Sequence, residues 1–145
     1  MPLLEQVRHD LHESMKARDA ARTQAIRLLL AELQKEATAP KPADDLTVLR
    51  RVIGRAEEAE TAFRQGGAAD RAEMERAQAR IFRTYLPAQL SDEEIDSLVA
   101  EVVAETGASS AKQMGQVMKA LQPRVAGRAD NARAAAAVKK RLGGA

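Results

Sequence analysis

The chain has 145 residues, of which 45% are hydrophobic and 30% charged, with a formal net charge of +2. That length suits one domain, or one domain with a small companion. Cysteine is absent, which excludes disulfides, thiolate metal sites and thiol nucleophiles.

Alanine dominates the apolar residues, aromatics number three and tryptophan is missing. Ala and Leu favour helix and β-branched residues are few, so the fold class expected is all-α, with small-residue helix packing. The N-terminal text MPLLEQVRHDLHESMKARD has early acids and no continuous apolar core, so it does not read as a signal peptide. No stretch approaches the roughly 20 apolar residues that span a bilayer. The expectation is a cytoplasmic protein without membrane contact.

In chain order, Leu3, Leu4, Val7, Leu11 and Met15 recur at helical spacing and predict a first helix over about 3–17. Asp19 can cap a second helix reaching about Ala37, with Ile26, Leu29, Leu30 and Leu33 as its stripe. TAPKPADD is a loop, and Asp44 or Asp45 can cap a third helix over about 46–65. Its apolar face is Leu49, Val52, Ile53, Ala56 and Phe63. Gly54 lies inside it, at a cost of about 1 kcal/mol relative to Ala, and close helix contact is one reason for it. Gly66 and Gly67 end that helix. Asp70 and Glu73 resemble a capping box for a fourth helix lined by Met74, Ala77, Ile81 and Tyr85, with Phe82 beside them. Long helices on short turns imply antiparallel neighbours.

Pro87 breaks the helical pattern. It divides the chain into an N-terminal antiparallel helical domain, 1–87, and a small C-terminal three-helix domain, 88–145. The second domain opens on Ser91-Asp92-Glu93-Glu94, a strong helix start. Ile95, Leu98, Val99 and Val102 follow as its stripe, and Gly107 ends the helix. Ser109 or Ser110 caps a sixth helix, with Met114, Val117, Met118 and Leu121 on one face, until Pro123. After a linker containing Gly127, Asp130 caps a last helix that ends at Leu142-Gly143-Gly144.

Charge along this second domain is segregated. The last 39 residues, Gly107 to Ala145, hold eight Lys/Arg and one acid, whereas the 19 before them hold six acids and no base. Clustered positive charge attracts phosphate backbones more strongly than the formal net charge suggests. Lys139, Lys140 and Arg141 are also explained by the dipole of a last helical turn. That explanation does not reach Lys112, Lys119, Arg124, Arg128 and Arg133, which lie on three elements. Lys112 and Lys119 are seven apart and share a helix face. Aromatics for base stacking are missing here, so contact with the shape and backbone of folded RNA fits better than single-strand readout.

Other candidates have plainer readings. His9 and His12 share a helix face near Glu5 and Glu13, but their spacing is not that of a helical zinc motif, and solvated histidines explain them. Asp92, Glu93, Glu94 and Asp96 are explained by capping and the helix dipole. GASSAK lacks the spacing of a phosphate loop, although it offers free helix amides, two hydroxyls and Lys112 as a seat for one phosphate. No catalytic residue, metal site or cofactor is expected.

The text YLPAQLSDEEIDSLVAEVVAETGASSAKQMGQVMKALQPRVAGRAD resembles the GatB/YqeY family. The resemblance extends upstream through KARDAARTQAIRLLLAELQKEA and FRQGGAADRAEMERAQARI. Its most specific parts are Tyr85-Leu86-Pro87 with Gln89-Leu90, Gly107-Ala108-Ser109-Ser110, Met114-Gly115 with Val117-Met118, and Gly127-Arg128-Ala129-Asp130. It implies an N-terminal helical domain and a smaller three-helix domain. It also implies kinship with the module that closes the GatB subunit of the tRNA-dependent amidotransferase, and with one that begins some glutaminyl-tRNA synthetases.

In the amidotransferase that module holds tRNA while ammonia derived from glutamine is used elsewhere. The resemblance therefore implies tRNA or another folded RNA as ligand, with an amidotransferase or aminoacyl-tRNA synthetase as possible partner. Lys112, Lys119, Arg124 and Arg128 sit in or beside the matched motifs. Arg133, Lys139 and Lys140 extend the basic set. Pro87, Ser91, Gly107, Gly115, Gly127 and Asp130 are motif residues with structural roles, Gly115 permitting close packing or backbone approach and Gly127 making the turn before the last helix. The chain departs from the family in its last helix, NARAAAAVKKRL, where relatives usually carry larger apolar residues, at Asn131, where glycine is common, and at Val52-Ile53-Gly54-Arg55 of the third helix, where many relatives are more basic.

The reading that follows is a non-catalytic helical module that binds folded RNA. One alternative is a protein-interaction module docking a partner enzyme through its long N-terminal helices. A third is the family's label of carbon–nitrogen ligase with glutamine as amido-N-donor. The residues do not support that activity, since no cysteine and no nucleotide motif is present.

Overall fold

The computed structural model describes residues 2–143. Among them are seven α-helices, one short 3-10 turn and no strand. The helices are α1 Leu3–Lys16, α2 Ala20–Ala37, α3 Asp45–Gln65, α4 Ala69–Arg83, α5 Asp92–Thr106, α6 Met114–Val125 and α7 Asn131–Gly143. The 3-10 turn, Ala111–Gln113, leads directly into α6. The chain divides into two compact units, Met1–Leu86 and Pro87–Ala145.

In the first unit, α3 and α4 pack as a hairpin, α1 packs on α2, and α2 touches both α3 and α4. Val7, Ile26, Leu29, Leu49 and Phe82 are buried at its centre. Side chains set the helix starts: Asp19 accepts the Arg22 amide at 3.1 Å, and Asp44 accepts that of Thr47 at 2.7 Å. The α3–α4 turn closes through the Ala68 amide on the Phe63 carbonyl at 2.8 Å, with Gly67 at φ +78°.

Four expectations for this unit are corrected. Met15 does not belong to the buried stripe, being 50% exposed. Ser14 takes the inward position instead; its Oγ donates to the Leu11 carbonyl and accepts from Thr23 Oγ1, both at 2.9 Å. This buried hydroxyl pair joins α1 to α2 without an unsatisfied polar atom. Next, α4 is rotated from its expected face: Ala72, Ala79 and Phe82 are buried, while Ala77 is exposed and Met74 is 60% exposed. Two alanines allow α4 to lie close against its neighbours, and the long Met74 would hold it away.

Third, the expected Asp70–Glu73 box does not form at the start of α4, where Ala68 stands at the cap and no side chain bonds the first amides. Glu73 pairs instead with Arg64 across the turn at 2.6 Å. The fourth is Gly54, where a Cβ would meet nothing within 4 Å, so helix contact does not explain the glycine. Tyr85, just beyond α4, donates its hydroxyl to Asp10 Oδ2 at 2.7 Å and so ties this end of the chain to α1. Burial, then the Asp10 hydrogen bond, pushes the phenol well above its ordinary range.

The second unit is a three-helix arrangement in which α5, α6 and α7 all touch one another. Ile95, Val99 and Val102 from α5 meet Val117 and Leu121 from α6. The alanine-rich α7 contributes Ala134, Val138 and Leu142, so its small residues still present a continuous buried face. The Ser91 and Glu94 capping box is formed, each backbone amide reaching the other's side chain at 3.1 Å. Gly107 ends α5 in the left-handed conformation at φ +70°. Asp130 caps α7 by accepting the Arg133 amide at 2.7 Å. Of the expected stop at Leu142-Gly143-Gly144, Gly144 lies outside the described residues.

Pro123 does not stop α6, which runs on to Val125. The buried stripe Val117, Leu121 and Val125 continues through the proline. Pro123 lacks the amide that would donate to the Lys119 carbonyl, and burial of Val125 beyond it offsets that cost. Ala126 and Gly127 then take left-handed conformations in succession. The Leu90 amide donates to the Arg128 carbonyl at 2.8 Å, which holds the start of the unit against the α6–α7 turn.

Candidate nucleic-acid interface

The candidate surface is built on α6. Val117, Leu121 and Val125 bury one side of this helix. The opposite side shows Gly115, Gln116, Lys119 and Gln122 to solvent. Lys112, in the 3-10 turn seven residues before Lys119, is exposed as well. No acid occurs between Thr106 and Asp130, so the outward face of α6 has no negative charge of its own. Among the described residues neither Lys112 nor Lys119 makes an ion pair.

The seven basic candidates are not equivalent. Arg124 leaves the α6 surface for α5, with one guanidinium nitrogen 3.4 Å from Glu101 Oε2 and the other bound to Glu105 Oε2. The hydrogen bond to Arg124 lowers the pKa of the Glu105 carboxyl, and the same bond raises that of the guanidinium. Arg133 joins Asp92 Oδ1 at 2.8 Å and the Leu90 carbonyl at 2.9 Å. Arg128 donates to the carbonyls of Val125 at 3.4 Å and Arg124 at 3.3 Å. It borders a shallow cleft with Leu90, Glu93, Glu94 and Leu98. Arg124 and Arg133 thus fasten α6 and α7 to the acidic helix α5. Lys139 and Lys140 are exposed in the last turns of α7 and make no ion pair among the described residues.

The seat for a phosphate at GASSAK is corrected. Gln113 Oε1 accepts the amides of Ser109 at 2.7 Å and Ser110 at 3.2 Å, so these N–H groups are engaged within the chain. Gly115 is corrected too: a Cβ there would meet nothing within 4 Å, and close packing inside the chain does not require the glycine. Gly127 does hold a positive φ, +78°, in the turn before α7. His9 and His12 are exposed on α1.

The acids that pair with Arg124 stand at positions i and i+4 of α5. That spacing was the available signal that a cation from a neighbouring helix would be engaged there. The family described as Yqey-like protein matches this chain over residues 4–142. The chain belongs to the Yqey-like family. The match spans both compact units, from α1 to the last turn of α7, so the Yqey-like assignment covers the basic face and the helices beneath it. A search of curated proteins gives no match. No helix among the described residues is long and apolar enough to cross a membrane.

Proposed function

We propose that this Yqey-like protein is a non-catalytic helical module that binds folded RNA, with tRNA the class the family resemblance favours. The observation that carries the reading is α6 with the 3-10 turn before it, where Lys119 and Lys112 stand exposed with no acid in their segment. Lys139 and Lys140 add charge on α7. Arg124 and Arg133 support the surface from behind by holding the helices together. A face of lysines without aromatic neighbours suits backbone contact and gives little base discrimination. A module of this kind would retain or present tRNA for an amidotransferase or an aminoacyl-tRNA synthetase in the cytoplasm.

The test is a titration of labelled tRNA with the full chain at two salt concentrations. Binding that weakens as salt rises supports the reading. Absence of binding at low salt, where phosphate contacts are strongest, overturns it. The variant Lys112→Gln with Lys119→Gln should weaken binding while leaving the helical content unchanged.

A second reading, docking of a partner enzyme, draws on an open groove of the first unit whose apolar floor is flanked by Glu32, Arg55 and Glu75. Val52, Ala56 and Phe82 lie along this groove, and Leu28 at its edge is 47% exposed. Recovery of a protein partner after nuclease treatment, lost on Leu28→Glu, would favour it.

A further inference from the structure

The acids of the first unit are distributed unevenly about its arginines. Arg51, Arg55, Arg64, Arg76 and Arg83, all on α3 and α4, pair with glutamates. Arg71 and Arg80 of α4 make no ion pair among the described residues, and near the α1–α2 turn Glu13 is taken by Lys16 at 3.6 Å. Arg8 and Arg18 make no ion pair among the described residues, and the one polar contact of the Arg27 guanidinium is with Met15 Sδ at 4.0 Å. The adjacent acid, Asp19, is engaged as the cap of α2.

Arg18 and Arg27 border one shallow, open cleft with Met15, Ala20, Thr23 and Gln24. Arg8, seven residues before Met15, shares its flank of α1. Arg18 also occupies the left-handed region, at φ +57°. That conformation costs an arginine what it would not cost a glycine. The turn therefore holds a long cation where glycine would fit the backbone better.

We infer that the α1–α2 turn is a second polyanion contact, in which Arg18 and Arg27 grip an RNA phosphate backbone. The inference rests on the RNA reading above and adds a footprint on the other unit. Guanidinium groups suit phosphate because their N–H donors match its oxygens in pairs. The open shape of the cleft fits a strand passing over it. Met15, half exposed, supplies an apolar rest for a ribose beside the two charges.

The experiment uses the full chain, bulk tRNA as probe and three double variants. The first is Arg18→Gly with Arg27→Gln. Glycine accepts the left-handed backbone, so its denaturation midpoint should equal or exceed that of the wild type. Its affinity should fall on the order of tenfold at low salt, and the slope of log affinity against log salt should shrink by about 1 to 2. The second, Lys35→Gln with Lys41→Gln, removes the same charge elsewhere on this unit and should change affinity much less. The third is Lys112→Gln with Lys119→Gln.

Unchanged affinity and slope in the first variant overturn the inference, as does an equal loss in the second. If the third alone weakens binding, the RNA reading stands and the second contact does not. If the first weakens binding and the third does not, the contact stands and the α6 face is the wrong surface. A wild-type chain that binds no tRNA overturns both.

Discussion

Arg124 of α6 reaches Glu105 of α5, so part of the basic segment is neutralised by the acidic segment that precedes it. The charge contrast between the two stretches is therefore an internal fastening as well as a surface property. For RNA binding, Arg124→Gln should alter affinity far less than Lys119→Gln, while lowering the denaturation midpoint slightly. Paired titrations and denaturant melts of the two variants check this.

The same ion pair sets a pH dependence. Glu105 is held below its ordinary value of 4.5 chiefly by its hydrogen bond to Arg124, and Glu94 chiefly by its hydrogen bond to Ser91. A lowered folded-state pKa means these groups stabilise the fold fully above the unfolded value. Their contribution is lost as the pH falls through the lowered values. Glu105→Gln should flatten the acid limb of stability against pH below about 4.5, while leaving its neutral limb nearly parallel to that of the wild type.

The buried hydroxyls of Ser14 and Thr23 predict a non-additive pair. Ser14→Ala leaves the Thr23 hydroxyl buried without its acceptor and should cost about 1–3 kcal/mol. Thr23→Val removes the donor as well. The double variant should therefore be more stable than Ser14→Ala alone, measured as a double-mutant cycle in chemical denaturation.

Gly54→Ala should stabilise the protein by about 0.5–1 kcal/mol. The new Cβ meets nothing within 4 Å, and the position lies inside α3. A lower thermal midpoint in this variant would contradict the account of Gly54 as a residue the fold does not need. Gly107→Ala should act in the opposite direction, because φ there is +70°.

Ser91→Ala should cost about 1 kcal/mol through loss of the cap on α5. Hydrogen exchange in the first turn of α5 should rise, with little change in the core amides of α6.

The helix starts at Asp19, Asp44, Ser91 and Asp130 were legible because each depends on one side chain and an amide three residues away. The orientation of α4 was not. Alanine contributes little to a hydropathy pattern, so the large Met74 dominated a stripe that the structure builds from Ala72, Ala79 and Phe82. At the candidate site, the seven-residue spacing of Lys112 and Lys119 implied one helix face, but Lys112 lies in the 3-10 turn before α6, where that spacing no longer sets its direction. The engagement of Arg124 and Arg133 depends on which faces of α5, α6 and α7 meet, and a linear pattern of charges does not encode that. Gln113 was missed for a similar reason: a glutamine capping two amides behind it looks like any polar residue.

The Tyr85 hydroxyl bond to Asp10 joins positions 75 residues apart. Asp10 lies in α1 and Tyr85 just beyond α4, so the acceptor of this bond is synthesised well before its donor. The Ser14–Thr23 pair, nine residues apart, can close once α1 and α2 are made, whereas the tyrosine clasp waits until the chain of the first unit is complete.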